Sequence, residues 1–289
     1  MKKLFLILFM IPAIGFSQDA GTKKLWKKGG VFSSNFSQVS LSNWAAGGKS
    51  SASGVLLINT FANYKKDSLS WDNSLSLNYG FLKEKEGDLV KSSDLIDFSS
   101  MLGYATGKFW NYSALLNFRT QFAPGYNYPR VDNDNPISKF LAPGYLNLAL
   151  GMNYKRKDFS LFISPATGKF TFVHDDYLSS LGSFGVDVGK KFRSEFGSLL
   201  KMAAQTELVK NVTVQTKLGL FSNYFHNPQN IDVDWSTMIS MKINDFLSTN
   251  LITQLLYDDD IKILDPDTGH SAPKVQFMEM FGVGLTMKF

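Results

Sequence analysis

A chain of 289 residues has room for one large domain or two small ones, so length excludes little. Composition excludes more: aromatics make up 14% of the chain and charged residues only 19%, whereas a disordered chain is poor in the first and rich in the second. The net charge of +5 is scattered, with part of it on Lys2 and Lys3, which leaves no footprint for nucleic acid; the lack of cysteine excludes disulfides, thiolate metal sites and a lipidated N-terminus.

In chain order, residues 1–18 read as an export signal. Lys2 and Lys3 precede a short apolar core, and Gly15 and Ser17 are small residues placed for cleavage before Gln18. That core is too short to span a membrane as a helix, and no run of 18 apolar residues follows it. Residues 19–30 are expected as a periplasmic N-terminal segment and 31–289 as a barrel.

The signal for the barrel is alternation. Across 69–81 the odd positions carry Leu69, Trp71, Leu75, Leu77, Tyr79 and Phe81, and the even ones Ser70, Asp72, Ser74, Ser76, Asn78 and Gly80. In a strand these sets face opposite sides; a helix would smear them around its circumference. The pattern returns around Asp97, Arg119, Asn153, Lys217 and Asp234. The stretches run to 12 or more residues, about twice the roughly 5–6 of strands in soluble sheets, and a dozen tilted residues cross an apolar band of about 30 Å. The fold expected is all-β, a transmembrane antiparallel up-and-down barrel of about 12 strands, at 31–41, 51–64, 69–82, 95–106, 109–122, 144–155, 157–164, 195–209, 212–225, 231–244, 247–257 and 275–289. Connections alternate between short turns and long loops at 83–94, 123–143, 165–194 and 258–274, which puts every long loop on one side. Segments 169–173 and 184–188 also look extended; they are read as a hairpin within a loop, with 14 strands as the alternative count.

The inward set predicted from parity contains Asp72, Asp97, Arg119, Gln121, Lys201, Glu207, Lys217, Asp232, Asp234 and Lys242. Both signs occur, so no single-sign filter is encoded. Either the charges pair across a filled interior or they line a narrow wet channel. Asp258, Asp259 and Asp260, with Asp265 and Asp267 nearby, form an acidic loop tip that lacks the spacing of a helical calcium loop; they are the weak candidates for a metal, and no cofactor is expected. His174, His226 and His270 fall in predicted outer loops without a Gly-x-Ser-x-Gly turn, so a lipid hydrolase is a minor alternative. Ala123-Pro124-Gly125-Tyr126 and Ala142-Pro143-Gly144-Tyr145 bracket one long loop, as paired rim turns or as the ends of an inward constriction.

Phe281, Leu285, Met287 and Phe289 alternate to the last residue, which resembles the C-terminal strand by which the barrel assembly machinery recognises bacterial outer-membrane proteins. Asn43-Trp44-Ala45-Ala46-Gly47-Gly48 is the most distinctive of several further segments, among them Asn35-Phe36-Ser37-Gln38, Trp71-Asp72-Asn73, Thr120-Gln121-Phe122 and Tyr257-Asp258-Asp259. Together they resemble an uncharacterised family of outer-membrane barrels from Bacteroidota, a domain of unknown function. The resemblance implies an integral outer-membrane protein in contact with lipid and lipopolysaccharide, and it transfers no activity. Polar inward faces on nearly every strand lead to the function expected, non-enzymatic, passive passage of small polar solutes; the alternative is a structural or assembly component docking envelope partners through its loops.

Overall fold

The computed structural model describes residues 25–40, 49–128, 135–264 and 270–289. The expected export signal, the Asn43–Gly48 segment, Asp265 and Asp267 lie outside the described residues. The strands are β1 (Trp26–Val39), β2 (Ser51–Lys66), β3 (Leu69–Glu84), β4 (Leu89–Ala105), β5 (Trp110–Thr120), β6 (Gly144–Arg156), β7 (Phe159–Phe172), β8 (Phe192–Val209), β9 (Val212–Asn223), β10 (Ile231–Lys242), β11 (Leu247–Tyr257), β12 (Lys262–Leu264), β13 (Ser271–Pro273) and β14 (Gln276–Lys288). Twelve of them form a closed antiparallel barrel in which sequence neighbours pair and β14 closes on β1, while β12 and β13 make a separate ribbon. Closure leaves no long free edge along most of the ring, which is what a sheet needs where water cannot satisfy its backbone.

Alternation sets the two faces. Leu102, Tyr112, Leu150, Trp235 and Phe281 stand exposed on the outer wall, and the strand positions between them turn inward. Aromatic side chains gather towards both rims. Trp26 meets Tyr64 and Trp71, with ring centroids 5.2 and 5.8 Å apart, at the rim of the short turns. Phe170, Phe172 and Phe192 meet at the rim of the long connections.

Several boundaries differ from those read in the sequence. β1 starts at Trp26 rather than 31, because Trp26 to Gly30 already pair with Tyr64 to Thr60 of β2 and the Trp26 cluster anchors that end. The loop expected at 83–94 shrinks to four residues, since Phe81 to Lys83 continue pairing with Lys91 to Leu89 beyond a bulge at Gly80. The connection expected at 165–194 loses both ends to strands: β7 runs on to Phe172 and β8 begins at Phe192. Segment 169–173 thus belongs to β7 rather than to a loop hairpin, and 184–188 overlaps a 3-10 turn at Ser183–Gly185. The strand count of twelve stands.

The extension of β7 depends on one bulge. Between Ser164 and Thr167 the register shifts against both neighbours, so β7 carries one extra residue. Pro165, which has no N–H to give the ladder, occupies the bulge. The Ser164 hydroxyl is shared between the Leu150 and Ala166 carbonyls at 2.8 and 3.0 Å and accepts from Thr167 Oγ1 at 2.8 Å. Parity flips here: Ser160 and Phe162 face inward below the bulge, Thr167, Lys169 and Thr171 above it. Two small cores result. Leu115, Ala149, Phe162, Leu199 and Phe221, one from each of β5 to β9, are buried inside the barrel. Ala142, Val173, Leu178 and Val186 are buried among the long connections, where α1 (Asp176–Ser180) docks. The second core ties the end of the 121–143 connection to the 173–191 connection, Gly125 bridges Ser138, and Gly144-Tyr145 of the second Ala-Pro-Gly-Tyr segment already belong to β6.

Candidate functional site

The site is the lumen. Above the inner apolar cluster, towards the long connections, the inward side chains are charged and joined across the barrel. Lys169 Nζ lies 2.6 Å from Asp232 Oδ2, 3.0 Å from Asp258 Oδ2 and 3.6 Å from Glu195 Oε2, and 5.2 Å from the centre of the Phe221 ring. Arg193 bonds Glu195 at 3.1 Å, pairs with Asp260 and donates to the Gly185 carbonyl at 2.9 Å. One level deeper, Arg119 Nη1 meets Asp234 Oδ2 at 2.6 Å, and Gln254 Nε2 donates to Asp234 Oδ1 at 3.0 Å. Asn117 donates to Asp97 at 2.7 Å and accepts from Lys201 Nζ at 3.2 Å.

The Arg119–Asp234 contact reports the shape of the lumen. A round barrel of twelve strands, spaced about 4.8 Å and tilted about 40°, is roughly 24 Å across between backbones. β5 and β10 are five places apart in the ring, and in a round barrel they would stand about 23 Å apart. Extended Arg and Asp side chains joined by a hydrogen bond span only about 13 Å. The barrel is therefore pinched between β5 and β10, with the apolar cluster of β5 to β9 filling one side.

Water nevertheless reaches the inward groups. The Asp234 side chain is 44% exposed within the pinch. Lys217, inward at the middle of β9, is exposed, and so are Gln205 and Glu207 towards the short-turn rim. Nearer that rim Lys155 of β6 pairs with Asp72 of β3, with 48% and 28% of their side chains exposed. Gln121 lies one residue past β5 with its Nε2 buried and without a hydrogen-bond partner among the described residues. Two predicted lumen residues near the ends of their strands bond into the short turns. Glu207 accepts from the Asn211 amide at 3.1 Å across the β8–β9 turn, and Lys242 pairs with Asp245 at 2.5 Å in the β10–β11 turn, holding that carboxyl below the usual carboxylate range.

Parity in the sequence missed Lys169, Arg193, Glu195 and Lys155. The bulge at Pro165 resets the count for Lys169, and Arg193 and Glu195 lay in or beside a segment read as loop. The signal available was the Ser164-Pro165-Ala166 interruption within otherwise strand-like sequence. Asp258, Asp259 and Asp260 are engaged by protein donors: Lys169 for the first, Asn230 (2.5 Å) and the Tyr257 hydroxyl (3.3 Å) for the second, and Arg193 for the third. His226 reaches Asn227 at 3.3 Å, and His174 is held through its backbone amide by the Leu141 carbonyl. Outside the barrel wall, Asp175 caps α1 by accepting from the Leu178 amide at 2.8 Å. The adjacent Lys139 ammonium, then that amide, hold its carboxyl below the usual range. Phe281, Leu285, Met287 and Phe289 all face outward and are exposed.

No curated protein matches the chain. Among solved structures it is similar to the translocator domain of autotransporter NalP from Neisseria meningitidis, at 8% identity and TM-score 0.40, covering 94% of this chain and 90% of that one. It is likewise similar to an outer membrane channel from Pseudomonas putida F1 (14% identity, TM-score 0.40, 91% and 94% covered) and to OmpT, an outer membrane protein of Vibrio cholerae (8%, 0.31, 91% and 97%). Residues 36–126 match the family described as protein of unknown function (DUF3078), and the described residues among them form part of the closed twelve-strand barrel.

Proposed function

We propose that the chain is an outer-membrane channel of restricted bore that passes small polar solutes without strong charge selection. Its outer wall fits lipid: the strands run 11 to 18 residues, apolar side chains cover the outward face, and rings gather at both rims. Two outward indoles find partners on the wall itself, Trp71 donating to Ser100 at 2.8 Å and Trp235 to Thr216 at 2.9 Å, as polar hydrogens in an apolar medium require. The outward alternation of Phe281, Leu285, Met287 and Phe289 suits a barrel-assembly signal, and contact with lipid and lipopolysaccharide follows from the placement.

The observation that carries the channel reading is the solvent exposure of inward-facing Asp234 and Lys217. A dry, sealed interior would bury such charges within pairs. Here Asp234 and Lys217 stay open to solvent beside the pinch, and Asp72 and Lys155 nearer the short-turn rim are also partly exposed. Both signs line it, which fits passage of small polar solutes rather than selection of one ion class. Purified protein in a planar lipid bilayer should give discrete conductance steps; folded, inserted protein that leaves the membrane silent would defeat the reading.

A further inference from the structure

The barrel closes on itself unevenly. β14 pairs with β11 from Gln276 to Leu285, but with β1 only from Gly284 to Lys288, opposite Asn35 to Val31. A reciprocal pair between Gly30 and Phe289, at 2.8 and 3.1 Å, extends this contact towards the short-turn rim. In the other direction it stops. Phe36 to Val39 bond only to β2, and the facing edge of β14, Met280 to Val283, pairs with no strand among the described residues. Four residues of unpaired edge correspond to a notch about 13 Å high. Every other seam of the ring is paired at ten positions or more.

The lumen behind this notch differs from the rest. Met238, Ile252 and Met280 share one inward row across β10, β11 and β14, in direct register, and the row ends at the open edge. Met278 follows one row nearer the long connections, in register with Gln254. On the outer wall the notch is flanked by Phe36 and Phe281, 62% and 65% exposed. An apolar, thioether-lined lumenal row thus meets the outer wall with no backbone ladder between them among the described residues. Flexible methionines fit chains of variable shape, and an unpaired strand edge is costly in lipid unless something covers it.

We infer that the β1–β14 notch is a lateral portal through which the hydrocarbon chain of a single-chain amphiphile passes between the bilayer and the Met238–Ile252–Met280 strip. Glu279, outward and exposed on the notch edge, repels anionic heads and favours an uncharged one. The inference rests on the membrane placement proposed above but not on conduction, so a silent bilayer would leave it standing.

The chain has no cysteine, so introduced thiols report alone. In the full-length protein reconstituted in lipid, Ser33→Cys/Thr286→Cys, whose native hydroxyls are 3.4 Å apart, should oxidise to a disulfide. Phe36→Cys/Val283→Cys, the pair that continued register would bring together, should not. Equal disulfide yield at both pairs would show a closed seam and overturn the portal. A monoacylglycerol with a diazirine on its C16 chain should label Met238, Ile252 or Met280 on irradiation. Bridging Phe36→Cys/Val283→Cys with a reversible bifunctional thiol reagent should remove that inward labelling, and reduction should restore it. Adducts confined to outward residues such as Leu251 and Val283, or inward labelling indifferent to the bridge, would also overturn it.

Discussion

Replacing Asp234 with asparagine keeps the outline of the pinch and removes one charge from it. Arg119, Lys201 and Lys217 bring positive charge to this level of the lumen, and Asp97 and Asp234 bring negative charge, so the native balance is slightly positive. One unit charge about 6 Å from a passing ion in a watery lumen is worth about 0.7 kcal/mol, which is roughly threefold in local ion concentration. That factor acts in opposite senses on anions and cations, and screening over about 10 Å in 0.1 M salt nearly halves the energy, so Asp234→Asn should raise the anion-to-cation permeability ratio about threefold there, with the effect fading towards 1 M. Arg119→Ala should move the ratio the opposite way by a similar factor and raise single-channel conductance, because it also releases the tie between β5 and β10. The assay is the reversal potential of single channels under a potassium chloride gradient. Shifts of the same sign in both variants, or no shift in either, would refute the reasoning.

Other consequences follow from packing and titration. Phe162, 2% exposed among Leu115, Ala149, Leu199 and Phe221, fills one side of the lumen; Phe162→Ala should cost about 3–5 kcal/mol of unfolding free energy, read from urea denaturation in lipid vesicles. A Cβ on Gly151 would lie 2.1 Å from the Ile163 carbonyl oxygen at the β6–β7 bulge, a backbone atom that cannot swing aside. Gly151→Ala should accordingly destabilise the barrel by about 1–3 kcal/mol or more, whereas Gly107→Ala, with nothing within 4 Å, should stay within about 0.5 kcal/mol. The Asp175 carboxyl titrates below its usual value in the folded protein, mainly through Lys139. Its contribution to the α1 loop is thus present above the ordinary carboxylate range and is lost as pH falls through the lowered value. Protection of the amides across 176–186, taken relative to the intrinsic exchange rate at each pH, should be high at pH 5–7 and fall towards pH 3. Asp175→Ala, which loses the cap as well, should exchange faster throughout, by a factor corresponding to about 1 kcal/mol.

Most of the architecture was legible because a barrel writes itself into sequence with a period of two. Leu69, Trp71, Leu75 and Tyr79 against Ser70, Ser74, Ser76 and Asn78 needed no long-range information, since each wall position has one apolar and one polar neighbour space. What parity cannot see is an interruption of parity. Pro165 looked like the end of a strand, yet it sits in a bulge that lets β7 continue with Lys169 turned inward. Lys83 and Leu89 looked like loop, yet they pair beyond the bulge at Gly80. The candidate site was legible only as a set of inward charges. Which of them meet depends on the cross-section of the ring, and nothing local in Arg119 or Asp234 announces that β5 and β10 approach each other. Likewise the β1–β14 seam joins residues from the two ends of the chain, whose pairing length is set by the register of every strand between.

The central claim, a watered interior behind an apolar wall, is tested most directly on β9, where inward and outward positions alternate at mid-height. Single cysteines at Gln215, Lys217, Val214 and Leu218 can be challenged with a membrane-impermeant thiol reagent in reconstituted vesicles. Gln215→Cys and Lys217→Cys should react while Val214→Cys and Leu218→Cys stay protected; the reverse pattern, or four unreactive thiols, would contradict the account.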